Sequence, residues 1–143
     1  MDNTKWELQF STLSAWVEKK GYRVIVKNAV ADCIVFQDKV IYINMNYTPE
    51  NKFYTLLHEC GHLLLENGKK VFLDEHPIYP SDILDGRIER SKAYKVCLLS
   101  EETNAWRKGW RLARRLELYV NKEKYHKSMV DSVWSYVEDI TKK

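Results

Sequence analysis

The sequence predicts an α+β fold: a small antiparallel sheet of about three strands, packed with one buried helix and further amphipathic helices. Three observations carry this. Three short runs rich in β-branched and aromatic residues crowd into residues 22–44. A strongly apolar helical stretch follows them, bracketed by capping residues. Both flanks of this region carry apolar residues at helical spacing. At 143 residues, with 45% hydrophobic and 30% charged side chains, the chain is expected to form one domain over residues 1–143 with a proper core.

The elements follow in order. "TKWELQFSTLSAWVEKKG" reads as a first helix. Thr4 and Glu7 are spaced as a capping box, and Trp6, Phe10, Leu13 and Val17 form one apolar stripe. Gly21 suits its end. "YRVIV" (22–26), "ADCIVF" (31–36) and "KVIYIN" (39–44) read as strands, with Gln37-Asp38 turning a hairpin between the last two. A second helix is expected from about residue 49 to about residue 67, with Thr48 as N-cap, Pro49 in the first position and Gly68 at the C-terminal cap. It is apolar over most of its girth and is therefore expected to be buried. Residues 69–100 read as loop with short pieces, because Pro77 and Pro80 interrupt them. "RIERSKAYKVCLLS" fits either the start of a helix or an extended surface run. From Glu101 to about Val120 the pattern is helical, and Asn121 is placed to cap a last helix with a stripe of Tyr125, Met129, Val133 and Val137.

Composition excludes several classes of function. No window approaches the eighteen or more consecutive apolar residues of a membrane span. "MDNTKWELQF" has neither the basic nor the apolar region of a signal peptide, so a cytoplasmic place of work is expected. Cys33, Cys60 and Cys97 are scattered and form no CxxC pair, which argues against a disulfide framework or a cysteine-based zinc site. The net charge of +3 is unevenly spread: −3 over residues 1–85 and +6 over residues 86–143. A solvated helix surface explains the excess, and an anionic partner is the sharper alternative.

The chemistry lies in "FYTLLHECGHLLLENG". His58 and His62, four residues apart on a helix, project from one face and can bind one Zn²⁺ together. Glu59 lies about 100° away on the helical wheel, beside the metal rather than on it, where it can act as general base on zinc-activated water. Two imidazoles and a carboxylate in so apolar a helix are costly without partners, and a metal satisfies all three. A pair of hydrogen-bonded core histidines is the bland alternative. Gly61 at mid-helix implies close approach of another backbone or of substrate, and Cys60 points away as a small core residue.

A catalytic zinc needs a third protein ligand. The metzincin continuation HExxHxxGxxH fails, because its last glycine and histidine positions hold Leu65 and Gly68. In "SEETNAWRKGWRLARRLELYV", Ala105, Trp106, Gly109, Ala113 and Leu116 all fall within about 60° of Glu102 on a helical wheel. Glu102 therefore shares the core-facing side and is the favoured ligand. Glu101 falls at the stripe's edge and remains the alternative. His76, Tyr79 and Tyr94 are candidates for an oxyanion donor, and the sequence does not choose among them. His126 reads as a packing or surface residue.

"TLLHECGHLLL", followed about forty residues on by "EETNAW", resembles the ImmA/IrrE-type metallopeptidases. "RSKAYKV", with the helix after it, looks more narrowly like a phage- or prophage-encoded branch. The resemblance covers about residues 50–120. It implies a small zincin-like α+β domain, with His58, His62 and Glu102 as ligands of Zn²⁺ and Glu59 as the base. It also implies a protein substrate, loosely a helix-turn-helix transcriptional repressor. The stretch 69–100 is longer than in compact members, so the substrate cleft is expected to differ. The chain leaves no room for a separate DNA-binding or sensory domain, so a partner is expected to supply recognition.

A zinc-dependent endopeptidase is thus the leading expectation. The alternative is a non-catalytic zinc-containing module that binds a host or phage regulator. A third reading, nucleic-acid binding through Arg107, Lys108, Arg111, Arg114 and Arg115, finds no supporting motif.

Overall fold

The structure is a computed structural model and describes residues 2–66 and 92–141. Helix α1 spans Asn3–Lys19. It is capped by Asp2, whose carboxylate accepts from the Lys5 N–H at 3.1 Å, rather than by the expected Thr4–Glu7 box. Aspartate caps as well as threonine, and the earlier start adds two helical residues. Gly21, at φ +87°, closes the helix: its N–H donates to the Glu18 carbonyl and the Tyr22 N–H to that of Val17. This paired closure needs a left-handed residue, which glycine adopts without strain.

Strands β1 (Arg23–Lys27), β2 (Cys33–Val35) and β3 (Val40–Asn44) form one sheet. Its order is β1-β3-β2. The expected hairpin joins β2 and β3, antiparallel, with Val35 opposite Val40 and Cys33 opposite Tyr42. The sheet is mixed rather than wholly antiparallel, because β1 runs parallel to β3, with Arg23 opposite Val40. Successive strands alternate in direction as expected, but β3 takes the centre. The reason is burial: Val40, Ile41 and Ile43 are fully enclosed, whereas β1 ends in exposed Arg23 and Lys27. The most apolar strand takes the place flanked on both sides.

Helix α2 spans Pro49–Glu66. Thr48 caps it, accepting from the Asn51 N–H at 3.2 Å. The expected cap at Gly68 lies outside the described residues. Helix α3 spans Lys92–Arg115 and so begins well before Glu101. It ends short of Val120, where Glu117 at φ +57° repeats the closure seen at Gly21. The segment between α3 and the last helix is tied to α1. Gln9 donates to the Tyr119 carbonyl at 2.8 Å and accepts from its N–H at 2.6 Å. Helix α4 spans Lys122–Thr141, capped by Asn121 through the Lys124 N–H at 3.1 Å.

The core joins Trp6, Leu13 and Val17 of α1, Ile41 and Ile43 of β3, and the apolar faces of α2 and α3. Helices α2 and α3 are antiparallel and touch backbone to backbone. A Cβ on Gly61 would lie 1.8 Å from the Ala105 carbonyl oxygen, and one on Gly109 would lie 2.4 Å from that of Leu57. Gly61 is therefore required by a neighbouring helix. One turn beyond the Gly61–Ala105 contact, the same crossing sets Glu102 against the two histidines.

Candidate metal centre

His58 and His62 stand one turn apart on α2, and Glu102 approaches from α3. The Nε2 of His58 is 2.9 Å from Glu102 Oε2, and that of His62 is 3.1 Å from Oε1. The two Nε2 atoms are 3.1 Å apart. All three side chains are largely buried, between 10% and 15% exposed. Glu101, one residue away, points into solvent. The burial difference follows the helical wheel, since Ala105, Trp106 and Gly109 on the Glu102 side are also buried.

With Glu102 ionised, as both histidines hold it, protons alone do not satisfy this cluster. If both Nε2 atoms carry protons toward the carboxylate, two N–H groups face each other across 3.1 Å. If either lacks its proton, a nitrogen lone pair faces a carboxylate oxygen at 2.9 or 3.1 Å. One cation shared by three lone pairs removes the conflict. Tetrahedral donors about 2.1 Å from zinc stand about 3.4 Å apart, slightly wider than the observed triangle. Two imidazoles and a carboxylate are also a donor set that suits zinc. The residues fit a metal, and these three are the ones that would hold it.

The electrostatics record the same conflict. Burial alone would raise the Glu102 carboxyl, but hydrogen bonds and charge from both histidines hold it well below the usual range. Burial lowers His58, with Glu102 opposing only in part. Burial also acts to lower His62, yet the hydrogen bond and charge of Glu102, with Glu59 and Glu101 behind, raise it. The two rings share one carboxylate and shift in opposite directions. The charge of His62 adds to burial in lowering His58, whereas Glu59 and Glu101 add to Glu102 in raising His62. His58 also lies flat against the Trp106 ring, with centroids 4.3 Å apart and planes within 8°.

Glu59 is 4% exposed and sits beside the cluster, its Oε1 3.6 Å from His58 Nδ1. Burial pushes its carboxyl up to about 7, helped by the charges of Glu102 and Asp32 and opposed by His62. A carboxyl near 7 exchanges protons readily at neutral pH, as a general base and acid must.

The cluster opens into a cleft of about 920 Å³. His58, Glu59, His62, Glu102 and Trp106 lie in it, with Asp32, Cys33 and Ile34 from the β2 side and a polar face of α4. Asp32 is fixed by the Asn44 N–H at 2.8 Å and the Tyr47 hydroxyl at 2.7 Å. Tyr136 of α4 donates to Glu102 Oε1 at 3.1 Å. Burial and Glu102 push its hydroxyl upward, so it remains a donor.

Neither Tyr136 nor Asp32 was anticipated from sequence. Tyr136 left a signal, because eleven residues from Tyr125 return it to within about 20° of the same helical face. Asp32 left none. His76 and Tyr79 lie outside the described residues, as does the side chain of Tyr94. His126 is exposed on α4, and Cys60 is a core residue. Cys33, Cys60 and Cys97 are all free. Arg107, Arg111, Arg114 and Arg115 are exposed on the outer face of α3. No helix among the described residues is long and apolar enough to cross a membrane.

An α+β domain whose buried helix carries HExxH, with a carboxylate delivered from a second helix, belongs to the metallopeptidase class in fold and site. The chain is a member of the Peptidase M78 family, the IrrE N-terminal-like domain, whose sequence pattern matches residues 17–118. Membership bears out the ImmA/IrrE resemblance and supports metallopeptidase activity on a protein substrate. Comparison with curated proteins and with solved structures returns no match. The family match begins inside α1 and stops before α4.

Proposed function

We propose that this chain is a zinc-dependent endopeptidase acting on a regulatory protein, with a helix-turn-helix repressor as the substrate class. The observation that carries this is the donor triangle of His58, His62 and Glu102, with Glu59 buried beside it at the edge of an open cleft. When bound, the metal lowers the pKa of water and polarises the scissile carbonyl. Glu59 takes a proton from the attacking water and returns it to the leaving amine. Stacking on Trp106 fixes the plane of His58 and keeps water off one face of the ring. The cleft runs beside α4 from Lys124 to Asp139, fifteen residues apart. That is roughly 22 Å of helix, enough for about six residues of extended chain. A flexible or locally opened segment of the substrate would be long enough to lie along such a cleft. We assign the activity to a single domain over residues 1–143 and to the cytoplasm, where three free cysteines are ordinary.

The test compares the zinc-loaded protein with Glu59→Gln, each incubated with a candidate repressor, with new N-termini read by mass spectrometry. Glu59→Gln is expected to hold about one zinc per chain and to lose cleavage by at least about 10³-fold. Cleavage retained by the variant would overturn the mechanism.

A further inference from the structure

We infer that α4, which lies beyond the matched family domain, completes the metal site, and that Tyr136 is the positioning residue for Glu102. The inference rests on the zinc reading above. Glu102 hangs on a flexible side chain, its Oε2 2.9 Å from His58 Nε2 and its Oε1 3.1 Å from His62 Nε2. Its carboxylate must be turned so that one oxygen completes the donor triangle with the two histidines. The α2–α3 crossing fixes the Glu102 backbone but not the rotation of its carboxylate. Tyr136 supplies the missing constraint. Its hydroxyl donates to Oε1, the oxygen beside His62, from a third helix.

The ring that carries this hydroxyl is held in place. Tyr136 is half-buried, and its helix is pinned at the other end by Tyr125, whose hydroxyl donates to the Trp106 carbonyl. Asn121 adds a hydrogen bond from its N–H to the Tyr54 hydroxyl at 3.0 Å. Tyr125 and Tyr136 share one helical face, so the pin at one directs the other. Tyr125 also packs against the ring that stacks on His58, with centroids 5.2 Å apart. Helix α4 thus backs two of the three ligands, His58 through Trp106 and Glu102 directly. Outer hydrogen bonds of this kind set the direction and basicity of a metal ligand, and losing one weakens metal binding about 10- to 100-fold.

The experiment measures zinc affinity by competition with a chromogenic chelator at fixed pH, for the full chain and for Tyr136→Phe. Tyr136→Phe is expected to bind zinc about 10-fold more weakly. The metal-free melting temperature is expected to stay close to the parent value while the rise on adding zinc shrinks. A Co²⁺-loaded sample is expected to show an altered visible spectrum, reporting changed ligand geometry. Trp134→Ser, on the exposed face of the same helix, is expected to leave zinc affinity unchanged. Equal zinc affinity in the parent and Tyr136→Phe overturns the positioning role and leaves the peptidase reading standing. Failure of the parent chain to hold zinc at micromolar concentration overturns both.

Discussion

Helix α3 meets its two helical neighbours in different ways. Toward α2 the contact is backbone on backbone, through Gly61 and Gly109. Toward α4 it runs through side chains, chiefly Tyr125 and Tyr136, and α4 leaves Val130 and Trp134 in solvent. The first contact has no adjustable part, so the spacing of His58 and His62 from the Glu102 backbone is set by the chain itself. The second can be retuned one side chain at a time. The α2–α3 crossing decides whether a metal cluster exists, and α4 decides how sharply it is aimed.

The largest effect is expected from breaking the fixed contact. Gly61→Ala must push two helices apart, because the nearest atoms are backbone. A loss of about 3 kcal/mol or more in denaturant melts is expected, despite the better helix propensity of alanine. Zinc binding is expected to fall with it, since the histidines move relative to Glu102. A melting temperature within a few degrees of the parent would show that the backbones do not touch.

A smaller effect comes from Glu59, on the rigid side. Its carboxyl sits at about 7 in the folded metal-free chain, against an ordinary 4.5. The folded state therefore holds the proton more tightly than the unfolded state does. The stability this gives is complete below about 4.5 and is lost as pH rises through about 7. Metal-free Glu59→Gln, which does not titrate, is expected to lack that decline. The difference in melting temperature between the two proteins should widen from pH 5 to pH 7.5. Glu102, held low, acts with the opposite sign and only as pH falls below its ordinary range, so the two windows separate. A parallel pair of pH curves would refute the assignment to Glu59.

The smallest effect lies between α3 and α4. Glu117 occupies a left-handed conformation that glycine adopts without strain. Glu117→Gly is expected to raise stability by about 0.5–1 kcal/mol in the same melts without changing zinc affinity. A change in zinc affinity would mean that the junction, and not only Tyr136, tunes the site.

Much of this site was legible in the sequence. Thr48 and Pro49 fix the start of α2, and spacing along one helix brings His58 and His62 together without long-range information. The wheel around Glu102 pointed to burial because Ala105 and Gly109 are small for packing, and that packing is what the structure uses. Sheet order was not legible, since β1 pairs directly with β3, skipping β2 in sequence, and only relative burial selects the central strand. The start of α1 was missed because Asp2 and Thr4 are both good caps. Tyr136 was missed because a stripe read in steps of four drifts by about 40° each step, while the face that meets Glu102 returns after eleven residues.

The Gln9 clamp on Tyr119 has a kinetic meaning. Gln9 precedes the family match and Tyr119 follows it, so one amide side chain stitches together the two flanks that enclose the matched domain. It closes a loop of 110 residues. Closing so long a loop carries a larger entropy cost than forming the local helices and the hairpin, so it is expected to follow them in folding. It also makes the Tyr119 amide a gauge: its hydrogen exchange reports how often the ring around the metal site opens.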